Sequence, residues 1–238
     1  MILQTHAIVI SALKYGDNSL IVKMLTHSSG VRSYLVKGVL SSRKGKFKAG
    51  YFQPLTLLEI VANHKDKGGL EYLREVKLLQ HYTTLQTDIK KSTMVMFLSE
   101  LLNSALQEEE SNPGLFDFLQ AAFEWLDHHD KVANFHIAFL IQLTRYLGFY
   151  PEGSNMENSF FDLREGEFTS HSLNECIEGE ELECFKAFLG INFDAIETVK
   201  MNKMQRRSLL KSLISYFQLH LQGFREPKSL IVLNEIFN

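Results

Sequence analysis

Proline and cysteine are scarce in this chain of 238 residues, which has 4 prolines and 2 cysteines. With so little proline and only 14 glycines, collagen-like and linker-dominated architectures are excluded. Cys176 and Cys184 are too few for a disulfide framework, so we expect free thiols in a reducing compartment. The chain has no uncharged apolar run near the ~20 residues of a membrane helix, and its start does not look like a signal peptide. We therefore expect a cytoplasmic protein.

Sequence motifs of catalysis are also missing. The chain contains no G-x-x-x-x-G-K-[ST] or G-x-G-x-x-G loop, no G-x-S-x-G elbow and no H-E-x-x-H motif. His128 and His129 do not predict a metal site with Asp130, because adjacent helical residues point about 100° apart. The acidic residues 108–110 precede an Asn-Pro-Gly break, where a charged, exposed turn is the ordinary interpretation. The sequence predicts a protein that is not an enzyme and has neither metal nor cofactor.

The charge of the chain is small in total but unevenly distributed. The net charge is -3 for the whole chain. Residues 1–82 contain twelve Lys/Arg and five Asp/Glu, a net charge of +7, whereas residues 83–238 contain thirteen and twenty-three, a net charge of -10. From residue 18 to residue 58 there is no acidic residue but there are seven basic ones. This asymmetry predicts that the first part of the chain binds a polyanion.

Hydrophobic periodicity changes at the same place as the charge. Short segments rich in β-branched residues predict strands at 6–13, 20–26, 31–40, 55–62 and about 70–79. After residue 82, amphipathic segments predict helices at 88–109, 114–128, 134–148, 179–190 and 201–222, with an irregular or hairpin insert near 151–175. A barrel of five strands in fewer than ninety residues has the size of an OB-fold. The predicted fold class is α+β, with an OB-fold domain at 1–82, which is the part expected to bind the polyanion, and a helical domain at 83–238.

Basic and aromatic residues are interleaved around the predicted loop between the third and fourth strands. Lysine and arginine bind phosphates, and unpaired bases stack on aromatic rings. The candidate phosphate contacts are Arg32, Lys37, Arg43, Lys44, Lys46 and Lys48, and the candidate stacking residues are Phe47 and Tyr51. Each of these two roles has an alternative that stays open. Instead of stacking on bases, the aromatic residues, with Phe52, belong to the barrel core. Instead of binding phosphates, the lysines only keep the loop soluble.

A second basic stripe lies in the helix predicted at 201–222. Its members are Lys200, Lys203, Arg207 and Lys211. The stripe is in the N-terminal half of the helix, where the helix dipole disfavours cations, so helix stabilisation does not explain it. It is a second contact to DNA or to a partner, an internal partner of the acidic region, or a solvated face.

The order of several short motifs resembles the RecO family of bacterial DNA repair and recombination mediators. The motifs are Ala7-Ile8-Val9-Ile10, Lys14-Tyr15-Gly16-Asp17-Asn18-Ser19, Val36-Lys37-Gly38-Val39 and the segment 143–151. The resemblance covers essentially the whole chain. It implies an OB-fold followed by helices, and a protein that binds single- and double-stranded DNA and anneals complementary strands. It also implies cooperation with RecR, contact with the single-strand-binding protein, and help in loading RecA.

One departure from the family concerns zinc. Many members carry a four-cysteine zinc motif after the central helix, but residues 152–161 contain no cysteine here. The two cysteines of the chain cannot replace four ligands. We therefore expect no zinc, and an insert that is held together by packing of Phe160, Phe161 and Phe168.

Two other functions are compatible with the residues. In the first, the protein is a protein-interaction adaptor and the acidic helical domain is its binding surface. In the second, the barrel binds RNA instead of DNA. An OB-fold by itself does not separate DNA from RNA.

Overall fold

The computed structural model covers the chain and describes residues 1–41, 47–64, 69–107, 110–172 and 175–237. These residues belong to two units, Met1–Asp127 and His128–Asn238. The first unit contains strands and two helices, and the second contains helices and a small sheet. These units are defined by contacts between residues, whereas the predicted domains are defined by a change of net charge and of hydrophobic periodicity. The predicted domain boundary near residue 82 therefore stays a prediction.

Five strands close into a barrel in the first unit. They are β1 (Ile2–Tyr15), β2 (Ser19–Thr26), β3 (Gly30–Val36), β4 (Leu57–Asn63) and β5 (Leu70–Leu78). The strand order is β1-β2-β3-β5-β4, and β4 pairs back onto β1. Neighbouring strands are antiparallel except β3 and β5, which are parallel. The predicted α+β fold with an N-terminal OB-fold barrel is confirmed.

The middle of β1 is buried on both faces. Ala7 and Val9 pack inside the barrel, and Ile8 and Ile10 on the other face are fully buried as well. Helix α1 (Ile89–Ala105) packs against β1, and its Ser99 hydroxyl donates to the Ile10 carbonyl oxygen at 2.7 Å. A strand covered on both faces needs no polar alternation, which explains the continuous apolar run in this segment.

Helix α1 ends earlier than its periodicity predicts, because the barrel supplies its C-terminal cap. The Lys23 ammonium on β2 donates to the carbonyl oxygens of Asn103 at 2.9 Å and Leu106 at 2.8 Å. Leu106 is extended, so the helix ends at Ala105 rather than near residue 109. Burial lowers the pKa of Lys23. One of the basic residues of the acid-free stretch is therefore used within the fold. The second helix of this unit is α2 (Pro113–His128).

The second unit combines four helices with a three-stranded sheet in its described residues. The elements are α3 (Phe135–Leu147), β6 (Phe160–Asp162), β7 (Glu167–Thr169), β8 (Cys176–Glu178), α4 (Gly179–Phe188), α5 (Lys203–His220) and α6 (Leu230–Ile236). The sheet order is β7-β6-β8. The hairpin expected in the insert is formed by β6 and β7. Strand β8 and helix α6 were not predicted, because elements of three and seven residues show little periodicity.

Aromatic rings hold the small sheet against the helices. The ring centre of Phe161 lies 5.1 Å from that of Phe168, 4.7 Å from Phe185 and 5.8 Å from Tyr216. Phe161 and Phe168 are buried, as the predicted packing requires, whereas Phe160 is only partly buried. Each fully buried ring of this kind contributes about 1.5–3 kcal/mol.

Replacing Gly166 by alanine is expected to destabilise the second unit. Gly166 lies at φ +74 between β6 and β7, and an added Cβ stands 2.7 Å from the Tyr216 hydroxyl. That hydroxyl is held in place because it donates to the Phe149 carbonyl oxygen at 2.8 Å. We expect a loss of about 2–3 kcal/mol in the free energy of unfolding, measured by thermal denaturation. In the control Gly190→Ala, the residue lies at φ +77 and the added Cβ has no neighbour within 4 Å. We therefore expect it to lose only about 1 kcal/mol, which is the cost of alanine in a left-handed backbone conformation. Equal losses would contradict the steric contact.

Candidate nucleic-acid interface

Lys37 is exposed on the outer side of the barrel, directly after β3. Its Nζ lies 5.3 Å from the ring centre of Tyr72 on β5, which is a cation–π distance. The two side chains meet because β3 and β5 run in parallel, with Tyr34 opposite Glu71. Tyr72 keeps 40% of its surface exposed. A cation and an accessible ring therefore lie together on this face.

Arg32 is oriented differently from Lys37. It is half-buried, and its Nε donates to the Ser29 carbonyl oxygen at 3.0 Å. It shares a strand face with Tyr34, whose hydroxyl lies 3.0 Å from His64 Nε2. His64 Nε2 in turn lies 3.3 Å from Glu71 Oε2. Burial raises the pKa of Tyr34, Glu71 raises it further, and the charge of Arg32 opposes them. The positive charge of Arg32 thus acts on the buried polar side chains around Tyr34. The sequence around Arg32 did not indicate this interaction.

The basic loop falls largely outside the described residues, and its two ends are defined. Arg43, Lys44 and Lys46 are not described, whereas Lys48 is described and exposed. Before the loop, the Leu40 amide donates to the Asn18 carbonyl oxygen at 3.0 Å. Leu40 therefore lies beside the β1–β2 turn.

The two aromatic residues proposed for stacking lie against the barrel core. Phe47 and Tyr51 are partly buried and pack against the interior residues of the barrel. The Phe47 ring meets Phe52 edge-on, with centres 6.4 Å apart, and Phe52 is 2% exposed. Their positions match the alternative in which these aromatic residues belong to the core.

Two exposed tyrosines are not among the contacts that the sequence predicts. Tyr15 at the end of β1 is 54% exposed and Tyr72 on β5 is 40% exposed. Strand alternation alone did not reveal Tyr72, because only the structure shows that its charged neighbour Glu71 is buried and points inwards with Leu73. Tyr15 was not indicated either, because it immediately precedes a turn.

The basic stripe of the second unit starts outside the helix. Helix α5 begins at Lys203 because the Asn202 side chain caps it, accepting from the Gln205 amide at 3.0 Å. Lys200 precedes this cap, so its predicted place on the same helix is corrected. It lines a concavity of about 630 Å³ together with Arg206.

The other members of this stripe line separate surfaces. Arg207 and Lys211 border a groove of about 470 Å³ between α5 and α6. Lys203 lies beside Arg206 and Arg207 in a smaller depression. The four cations are thus distributed over three neighbouring concavities rather than one continuous face.

The described residues do not fit a zinc site. Among them, no group of three or more His, Cys, Asp or Glu side chains is arranged to hold a metal ion. Cys176 and Cys184 are free thiols, and aromatic packing occupies the interior of the small sheet. In the part of the chain that the structure describes, no helix is long and apolar enough to cross a membrane.

The closed barrel, with cations and tyrosines on its outer surface and helices after it, defines an OB-fold protein with a helical C-terminal part. Residues 1–82 match the family model Recombination protein O N terminal, and residues 86–230 match Recombination protein O C terminal. The DNA repair protein RecO of Christiangramia forsetii is 53% identical over 238 residues, and that of Flavobacterium psychrophilum is 47% identical over 238 residues. Both alignments cover 100% of each chain. The chain belongs to the RecO family of DNA repair proteins.

Proposed function

We propose that this chain is a non-enzymatic, DNA-binding mediator of recombinational repair. It binds single- and double-stranded DNA on the barrel and anneals complementary strands. The observation that carries this proposal is the acid-free stretch 18–58 on a closed barrel, where Lys37 and Lys48 are exposed. Lysine and arginine neutralise phosphates and release counterions. Residues 83–238, with a net charge of -10, repel DNA and favour its binding to the barrel.

The proposed contacts differ in their exposure and in the role that we propose for them. Lys37, Lys48 and the three basic loop residues Arg43, Lys44 and Lys46 contact phosphates. Arg32 contributes its positive charge from a half-buried position. The second set, Lys200, Lys203, Arg207 and Lys211, is proposed as an additional contact to DNA or to a partner.

The partners follow from the family resemblance. We propose that the protein works in the cytoplasm with RecR, contacts the single-strand-binding protein, and helps to load RecA. The division into a DNA-binding domain at 1–82 and a helical domain at 83–238 is part of this proposal. The reversal of net charge between these two segments supports it.

Single-strand binding is expected to weaken steeply with salt. With about five phosphate contacts, raising the salt from 50 to 200 mM weakens binding about 100-fold. Fluorescence anisotropy with a labelled oligonucleotide at both salt concentrations measures this loss. Lys44→Glu combined with Lys46→Glu is expected to lower affinity at least about 10-fold at low salt, because two attractive charges become repulsive.

The control for this experiment has the same change in net charge. Lys90→Glu combined with Lys228→Glu alters two exposed lysines outside the barrel, and its affinity is expected to stay within about 2-fold. Salt-independent binding, or equal losses in the two double variants, would count against the proposed function. A strand-annealing assay with the same variants tests the mediator activity.

A protein-interaction adaptor is the second candidate function. It is favoured by the groove between α5 and α6, which is lined by Leu210, Ile214 and Leu230 and has Ile231 69% exposed at its edge. Partner capture that persists in the Lys44/Lys46 variant, without measurable DNA binding by the unmodified protein, would favour this role. Competition between DNA and RNA oligonucleotides of equal length separates DNA binding from RNA binding.

A further inference from the structure

A row of apolar side chains crosses β1, β2 and β3 on the outer face of the barrel. The strand register places Leu13 of β1 opposite Ile21 of β2, and Ile21 opposite Leu35 of β3. The face continues onto β5, because Ser33 of β3 lies beside Leu70. Residues far apart in the sequence therefore form one surface.

Alternation shows that this surface points away from the core. Ala12 and Leu73 pack with the barrel interior, so their chain neighbours Leu13 and Tyr72 point outwards. Leu13 is 66% exposed, and Tyr15, two residues along the same strand, is 54% exposed. Large exposed apolar side chains that form a contiguous patch mark an interaction surface.

Cations border this patch, and few carboxylates lie near it. Lys37 Nζ lies 5.3 Å from the Tyr72 ring centre, and Arg74, two residues further along β5, is exposed. The carboxylates among the described residues of β1, β2, β3, β5 and the β1–β2 turn are Asp17, Glu71 and Glu75. Glu71 is only 2% exposed and belongs to the interior. The patch therefore combines rings with a local excess of exposed positive charge.

We propose that Tyr15 and Tyr72 are base-stacking platforms for single-stranded DNA, with Lys37 as the adjacent phosphate contact. The inference rests on the proposed DNA-binding function and deepens it, since it names the side chains that distinguish single strands from duplex. Unpaired bases offer their faces to aromatic rings, whereas duplex bases are already stacked on each other. The combination of exposed rings with basic side chains suits a single strand better than an apolar protein partner.

Removing either ring is expected to weaken single-strand binding selectively. Tyr15→Ala and Tyr72→Ala each lower the affinity for oligothymidine about 5- to 100-fold, and the affinity for duplex changes by less than about 2-fold. Tyr72→Phe keeps the ring and retains the affinity. Lys37→Ala lowers both affinities and reduces the single-strand salt slope by about 0.7. Anisotropy titrations at two salt concentrations measure all four variants.

Leu70→Ala is the matched control, because Leu70 lies on the same face and is 41% exposed but has no ring. Its single-strand affinity is expected to stay within about 2-fold. An independent readout uses the unmodified protein with 2-aminopurine inside the oligonucleotide. Stacking on a tyrosine quenches the emission on binding, and the quenching is smaller in Tyr72→Ala.

The outcomes separate this inference from the function on which it rests. If the unmodified protein binds no DNA, the proposed function is wrong. If it binds DNA with the expected salt dependence but both alanine variants keep their single-strand affinity and quenching, the stacking role is wrong and the DNA-binding function stands. Equal losses for single strand and duplex would also overturn the stacking role.

Discussion

Replacing Asp127 by alanine is expected to lower the free energy of unfolding of the first unit by about 3–5 kcal/mol. The carboxylate is 4% exposed and accepts from the amides of Thr83 at 2.9 Å, Thr84 at 2.7 Å and Leu85 at 3.1 Å. Beside it, the buried Lys91 ammonium donates to the Asp127 carbonyl oxygen at 2.8 Å. Alanine would leave these three amides, of which that of Leu85 is buried, without their acceptor, and the segment after the barrel would lose its anchor on α2.

The same contacts determine how this stabilisation depends on pH. Burial alone raises the pKa of Asp127, but hydrogen bonds from Thr83, Thr84 and Leu85 outweigh it and lower the pKa from 3.8 to about 2. A carboxylate with a lowered pKa stabilises the fold above the pKa of the unfolded chain. The contribution is therefore complete above about pH 4, and is lost as the pH falls through 3.8 towards 2.

The measurement uses the single tryptophan of the chain, Trp125, which lies on α2 two residues before Asp127. Urea denaturation followed by its fluorescence reports on the first unit. Asp127→Asn keeps one oxygen acceptor and is expected to lose less than the alanine variant. Asp130→Ala removes an exposed carboxylate nearby and should change stability by less than about 0.5 kcal/mol. A similarly small loss for Asp127→Ala would contradict the anchoring role.

Acidification from pH 7 to pH 4 is expected to lower the free energy of unfolding of the second unit by about 3 kcal/mol through His136 alone. His136 on α3 is 1% exposed. Burial lowers the pKa of its imidazole from 6.5 to about 3, and the charge of Arg206 contributes. The folded protein keeps the ring neutral, whereas the unfolded chain binds a proton below pH 6.5. The contribution of the neutral His136 ring to the free energy of unfolding is therefore complete above pH 6.5 and is lost progressively as the pH falls towards 3.

Removing the titrating ring is expected to flatten this dependence. In His136→Leu, the difference in unfolding free energy between pH 7 and pH 4 should be smaller than in the unmodified protein by about 3 kcal/mol. Urea denaturation followed by circular dichroism at both pH values measures the two differences. The exposed His171 is the control, since His171→Gln should leave the pH dependence unchanged. Parallel pH profiles for His136→Leu and the unmodified protein would contradict the prediction.

Local patterns were sufficient for the architecture of the chain. Alternating and β-branched segments placed all five barrel strands, although β1 begins at Ile2 rather than at residue 6. The apolar stripe of α3 predicted a buried helix, and its residues from Phe135 to Leu143 are buried except for Gln142. Such patterns are readable because a buried face requires side chains at the repeat of the element itself.

Contacts between distant segments decided what the patterns left open. The end of α1 depends on the Lys23 ammonium from β2, which no periodicity within the helix encodes. Lys200 lies outside α5 because the Asn202 cap begins that helix later. The packing of Phe47 against the core was one of two open interpretations, and only the closed barrel places it.

By itself, the sequence determined the α+β class, the barrel followed by helices, and the concentration of positive charge in residues 1–82, because periodicity and charge are local properties. The tertiary structure alone decided which cations and rings share a surface. Lys37 and Tyr72 are 35 residues apart in the chain, and the parallel pairing of β3 with β5 brings them together. Strand pairing over such separations depends on the whole barrel closing, so neither segment contains the information alone.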